Sequence, residues 1–324
     1  MKVELNSQTG FEPLATRYLG EIPDHFLFHR QHALRHPLAT YNISLQQVAD
    51  EFRRVLDHHD AMQRYWKEKG PSTMEPQPYA ELLSAQKDLI YSVREHIDDC
   101  HLILQSLVDP ARVNVSQPGA DVLLKAARFP TLSTFVQPLK PFMDDYLLPM
   151  ANKLKHKQGR LRGCAFFNDS ETRLGYFLEE MDEKEVAGPS ERLHPGNTAF
   201  SFARDARLNL YHVCFASERL VKAMTGALRS MHHYRLVQAV APTSCNLLWR
   251  QIAQRVAGLP LALFPQELQL PFPNATLADE GFVLEYPAQN PKLGFPQTTR
   301  IATYTYGDGV TKSFRLPYLR GAPR

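Results

Sequence analysis

Several kinds of chemistry leave no mark on this 324-residue chain. It contains no G-x-x-x-x-G-K-[ST], no G-x-G-x-x-G after a strand, no G-x-S-x-G and no H-E-x-x-H. P-loop NTPases, standard Rossmann dehydrogenases, serine α/β-hydrolases and zincin proteases are therefore disfavoured, because each depends on the geometry that its motif supplies. Cysteine is scarce: Cys100, Cys164, Cys214 and Cys245 are the four, and no CxxC pair occurs. That excludes a zinc ribbon or thioredoxin-like motif and is too sparse for a disulfide framework. Reduced, mostly buried thiols in a cytoplasmic protein are expected. No apolar run approaches the roughly 18 residues of a membrane span. Met1 to Phe11 lacks the basic-then-apolar profile of a signal peptide. There is no internal repeat and no low-complexity stretch.

Charge is nearly balanced, with 37 basic and 34 acidic side chains and a net +3, so no global field announces nucleic acid. Hydrophobic residues make up 44% and charged residues 22%, enough apolar material for a packed core. A length of roughly 150 residues per domain suggests two domains. Many of the 24 prolines gather between Pro260 and Pro296, interleaved with Phe264, Leu268, Leu270, Phe272, Phe282, Val283 and Tyr286. This region reads as extended, loop-rich structure.

Residues 1–43 carry turn chemistry, with a short His-rich helix expected within Asp24 to His36. Ser44 is placed as an N-cap. Leu45, Val48, Phe52, Val55, His59, Met62 and Trp66 then form one helical face that ends near Gly70-Pro71. Leu83, Ile90, Val93, Ile97, Cys100, Leu104 and Leu107 form a second. Ala120 to Phe129 and Phe142 to Lys157 follow as helices, the latter's segment started or kinked by Pro138, Pro141 and Pro149. From Gly159 the period changes to that of strands. Arg160 to Asn168 and Thr172 to Leu178 read as a hairpin, and Leu208 to Phe215 as a strand. Helices follow from a cap at Ser217 to His233 and over Asn246 to Val256. Gly307-Asp308-Gly309 predicts a terminal hairpin of Thr299–Tyr306 with Val310–Leu316. The fold class is α+β: a helical bundle over residues 1–158, then a mixed α/β half over 159–324 with antiparallel hairpins.

The candidate sites follow from this layout. Lys153, Lys155, Lys157, Arg160 and Arg162 fall within ten residues, at a helix end that enters a strand. Arg162-Gly163-Cys164-Ala165-Phe166-Phe167 resembles part of the RNA-recognition strand pattern, in which cations hold phosphates and outward aromatics such as Phe166 stack on bases. Cys164 stands where that pattern has an aromatic. The leading expectation is a non-catalytic interaction protein that binds nucleic acid, another polyanion or a partner protein through this segment.

A second candidate is Arg94 with His101, two turns apart on one helix. An arginine followed at short range by a histidine on a helix resembles the motif of HEPN ribonucleases. That resemblance implies a metal-independent enzyme with histidine handling the 2′-hydroxyl proton and arginine stabilising the phosphate. It covers roughly residues 44–157, and Arg53 with His58 fits the same spacing. Glu95 after Arg94 departs from the pattern, since an acid repels phosphate. Glu95, Asp98 and His101 advance by threes and face Asp57, His58, His59 and Asp60 on the neighbouring helix, a layout that bundle metal sites use. His25, His29, His32 and His36 form a separate His-rich surface stretch. Cys245, expected in the first turn of a helix, is a candidate thiol nucleophile. A haem needs one axial histidine and no motif, so the cofactor is left open.

Overall fold

The computed structural model describes residues 2–6, 10–71, 74–113, 119–168, 171–237, 246–278, 281–287, 294–296, 299–305, 310–311 and 313–319. The chain begins with strand β1 (Lys2–Asn6), whose Val3 and Leu5 point inward while Lys2 and Glu4 face solvent. A four-residue helix α1 (Thr16–Leu19) and one 3-10 turn (Asp24–Phe26) lead to the helical layer. Of the expected His-rich helix, only that turn forms.

Helix α2 (Pro37–Lys69) and helix α3 (Gln77–Gln105) are the two amphipathic stripes of the sequence, packed antiparallel. α2 starts seven residues before Ser44, the expected cap. Pro37 occupies the first turn, where its missing donor costs nothing, and His36 Nδ1 accepts from Leu38 N–H. Ser44 is instead a buried mid-helix residue, 2.9 Å from His96 Nδ1 on α3. After α4 (Ala120–Ala126), helices α5 (Leu132–Phe142) and α6 (Leu148–Lys155) are joined through a π-helical segment, Met143–Leu147. The wider winding leaves one carbonyl to be satisfied from outside the helix. In an i→i+5 pattern Asp144 O faces Pro149, which has no N–H, and Arg192 Nη2 donates to that carbonyl instead at 2.8 Å.

The expected hairpin of β2 (Gly159–Phe167) and β3 (Thr172–Met181) forms, in the register Phe167↔Thr172. With β4 (Val186–Pro189) and the short β5 (Phe200–Ser201) it builds a sheet against the helices. Alternation divides its two faces. Ala165, Leu174, Tyr176 and Leu178 join the main core, whereas Cys164, Phe166 and Phe177 face a second cluster with Phe264.

The expected strand Leu208–Phe215 is the middle of helix α7 (Phe202–His232). Its run is apolar on nearly every side because this half of α7 is buried all round, and a short apolar run does not distinguish strand from buried helix. α7 packs on both α3 and α5. The helix expected over Asn246 to Val256 forms as α8 (Leu247–Gly258), with Asn246 as its cap.

Strands β6 (Asn274–Ala278) and β7 (Gly281–Glu285) occupy the proline-rich region read as extended and loop-rich, and β7 pairs with β1. The terminal hairpin does not form as expected. β8 (Arg300–Thr303) pairs with β2 while β9 (Ser313–Phe314) pairs with β4, at opposite edges of the larger sheet. Gly307-Asp308-Gly309 lies outside the described residues. The architecture is α+β, with about 53% helix. No helix among the described residues is long and apolar enough to cross a membrane.

Candidate functional site

The sequence-derived candidates are spread over the surface rather than gathered. Lys153 pairs with Glu180 at 3.0 Å, and Arg162, nearly buried, with Glu179 at 3.0 Å. Lys155, Lys157 and Arg160 remain exposed. Phe166 is 7% exposed and packs edge-on against Phe264, Phe295 and Tyr318, so its ring faces the second core cluster.

Arg94 and His101 lie either side of Asp98 on α3. Arg94 Nε is 3.7 Å from Asp98 and its Nη1 donates to Asn152 Oδ1 at 3.3 Å. His101 turns instead into a groove between α3, α4 and α5 that Arg94 does not line. Arg53 pairs with Asp50 and His58 with Glu81, so these two have separate partners. Asp57 and Asp60 both engage Arg255 of α8, at 2.5 and 2.7 Å. No group of three or more His, Cys, Asp or Glu among the described residues is placed to hold a metal ion.

The histidines of the first segment also divide. His25 packs on Phe26, His29 meets His36 edge-on, His32 Nε2 donates to Val108 O at 2.7 Å, and His36 caps α2. Cys245 lies outside the described residues. Cys100, Cys164 and Cys214 are free and buried, and burial pushes each thiol up, away from the reactive thiolate.

The side chains that the tertiary structure does gather belong to α7. Its first half carries a buried polar knot. Asp205 Oδ2 accepts from Tyr146 at 2.5 Å, from Gln86 Nε2 at 2.8 Å and from the Tyr176 hydroxyl. One carboxylate thereby ties α3, the π-helical segment, β3 and α7 together. Arg207, 1% exposed, donates to Ala203 O and Leu259 O at 2.7 and 2.6 Å, and burial lowers its pKa to about 10.

The second half of α7 is the exposed part. Lys222, Thr225, Gly226 and Arg229 advance by three, four and seven positions along one face of the helix. With Tyr18, His233, Arg235 and Leu236 they line a groove of about 840 Å³. Gly226 lets α5 pack closely on the helix. A Cβ there would lie 2.7 Å from Thr131 Cγ2, while Thr131 Oγ1 donates to Ala223 O at 2.6 Å, so the start of α5 approaches the helix closely. Beyond the last turn, His233 takes the left-handed conformation (φ 52°) and closes the helix through its N–H to Arg229 O. A side chain with a Cβ costs about 1 kcal/mol there. His233→Gly is expected to raise stability by up to about 1 kcal/mol, read as a higher urea midpoint with an unchanged slope.

The lining contains Lys222, Arg229, His233 and Arg235 and, among the described residues, no carboxylate. The helix dipole explains a cation such as Arg229 in the last turn. It does not explain Lys222, two turns upstream, or Arg235, beyond the helix end. The expected helix from Ser217 to His233 already showed the signal. Its one acid is Glu218, and Lys222 and Arg229 share a face.

The fold and these side chains describe an α+β protein with a cationic groove along its longest late helix. Comparison with protein-family models, with curated proteins and with solved structures gives no match.

Proposed function

We propose that this chain binds an anionic ligand, whose phosphate or carboxylate groups are held in the groove on the second half of α7. The observation that supports this reading is the charge of that lining: three permanent cations and a histidine with no carboxylate among the described lining residues. Several basic side chains elsewhere are offset by acids. Arg54 meets Glu51 and Asp88, Arg255 meets Asp57 and Asp60, and Lys153 and Arg162 meet Glu180 and Glu179. Lys222, Arg229 and Arg235 form no ion pair within 4.0 Å with any described carboxylate. Phosphate and carboxylate oxygens form charge-assisted bonds with such groups, and arginine adds a bidentate geometry. A volume of about 840 Å³ suits a small molecule.

A second reading, nucleic acid held by the helix-to-strand segment, is favoured by one feature. Lys87, Lys157 and Arg160 border a groove of about 290 Å³ between α3 and β2. The expected discrimination is direct. Inorganic pyrophosphate should bind the wild-type chain and lose about a hundredfold in affinity in Lys222→Glu/Arg229→Glu, measured by titration calorimetry. The double variant's circular dichroism should be unchanged. Unchanged pyrophosphate affinity in that variant would sink the α7 reading. Single-stranded RNA that binds with steep salt dependence, and is released by Lys157→Glu/Arg160→Glu alone, would establish the second.

A further inference from the structure

The groove between α3, α4 and α5 is distinct from that on α7 and of a different character. It encloses about 700 Å³ over an apolar floor that includes Ile97, Phe135, Leu139 and Met143. One imidazole stands in its wall. His101 meets the Phe135 ring edge-on at 5.1 Å, and its Nδ1 lies 3.1 Å from Ile97 O. A carbonyl oxygen only accepts, so Nδ1 carries the hydrogen. In the neutral ring, Nε2 is therefore an acceptor with its lone pair available. Burial lowers the His101 pKa, which keeps the ring in this neutral form.

The rim carries charges of both signs, Lys125 and Lys140 with Asp98, Asp121 and Asp144. Asp121 meets Lys125 at 3.4 Å and Asp98 meets Arg94 at 3.7 Å. With Arg94 counted, three bases face three acids, so the rim as a whole favours neither an anion nor a cation, and a neutral ligand leaves both pairs intact. A pure hydrocarbon, for its part, would strip water from Nε2 and return nothing.

We propose that this groove binds a small, neutral, mostly apolar molecule that donates one N–H or O–H to His101 Nε2. The volume is within the range of ligand pockets, and a single polar anchor in an apolar lining fixes the orientation of what enters. The fixed tautomer makes the site selective for donors over acceptors of the same shape. A groove built to bond a hydroxyl discriminates strongly against the analogue without one, because its buried acceptor is then left unpaired.

The test uses the full chain with β-naphthol and its methyl ether, a pair matched in shape and differing in the donor. The wild type should bind β-naphthol about tenfold more tightly than the ether. His101→Leu should bind the two equally, at the level of the ether. Val136→Trp, which fills the groove from α5, should bind neither. The proposal is overturned by equal affinities in the wild type, by a preference that survives His101→Leu, or by binding of neither probe. A readout on the unaltered chain guards against a variant that does not fold. The ring-nitrogen NMR signal of His101 Nε2 should move on addition of β-naphthol, and a signal that stays put overturns the proposal as well.

Discussion

Asp205→Ala is expected to lower the free energy of unfolding by about 4 kcal/mol or more. Three donors, from Gln86, Tyr146 and Tyr176, converge on Asp205 Oδ2, and all four residues are buried. Removing the carboxylate leaves them only the longer contacts among themselves, Gln86 Nε2 to the Tyr176 hydroxyl and Tyr146 with Tyr176, both at 3.2 Å, and opens a gap where four elements meet. Each stranded donor costs about 1–3 kcal/mol when water does not reach it. Urea unfolding followed by circular dichroism measures the loss. A decrease below about 1 kcal/mol would mean that the donors find other acceptors, and that the knot is not what joins these elements.

Asp205→Asn keeps an acceptor oxygen and should cost less, and its deficit should depend on pH. Burial raises the Asp205 carboxyl above its ordinary 3.8, with the tyrosine hydrogen bonds opposing that rise. The folded protein then binds this proton more tightly than the unfolded chain does. The stability it contributes is complete below the unfolded pKa and is lost as pH rises through the higher folded value. Asparagine has no such proton to lose. The wild type should thus lose ground to Asp205→Asn as pH rises from about 4. Glu267 and Glu218 are raised in the same direction, but they titrate in both proteins and cancel in the difference.

Gly175→Ala should cost about 3 kcal/mol or more. Gly175 pairs with Ser201 across β3 and β5. A Cβ on it would overlap Phe200 O and lie 2.5 Å from Phe264 Cε2. Neither neighbour yields easily. The Phe200 carbonyl belongs to a strand held by Glu267, which accepts from Ser201 N at 2.9 Å and Phe264 N at 2.8 Å. The Phe264 ring, fully buried, packs against Phe166 and Tyr318. Displacing β5 would also move Ser201, the cap of α7, and with it Asp205. The expected result is a lower denaturation midpoint together with looser near-ultraviolet ellipticity. A change under about 1 kcal/mol would show that the β3–β5 approach is softer than its geometry implies.

Legibility in the sequence followed the locality of the forces. The stripes of α2 and α3, the β2–β3 hairpin and helix α8 are set within a few residues, and each lies where its spacing predicts. Leu208–Phe215 was misassigned because its apolar run is the record of burial on all sides, and burial does not carry a period. β6 and β7 pair with each other locally but lie among prolines, and the second partner of β7, β1, sits at the other end of the chain. The cationic face of α7 was partly readable in the spacing of Lys222 and Arg229. Its completion by Arg235 and Tyr18 was not.

The sequence by itself determined the α+β class, the helical pairing in the first half and the strand pairing that follows. Hydrophobic periodicity, capping and turn chemistry act between near neighbours and need no partner from afar. Only the tertiary structure decided which polar groups act together. Asp205 drew its donors from three other elements, His101 acquired an apolar groove that Arg94 does not share, and Phe166 was covered by Phe264, Phe295 and Tyr318. Charge and hydrogen-bond complementarity depend on distances of a few ångströms in space, and separation along the chain does not encode them.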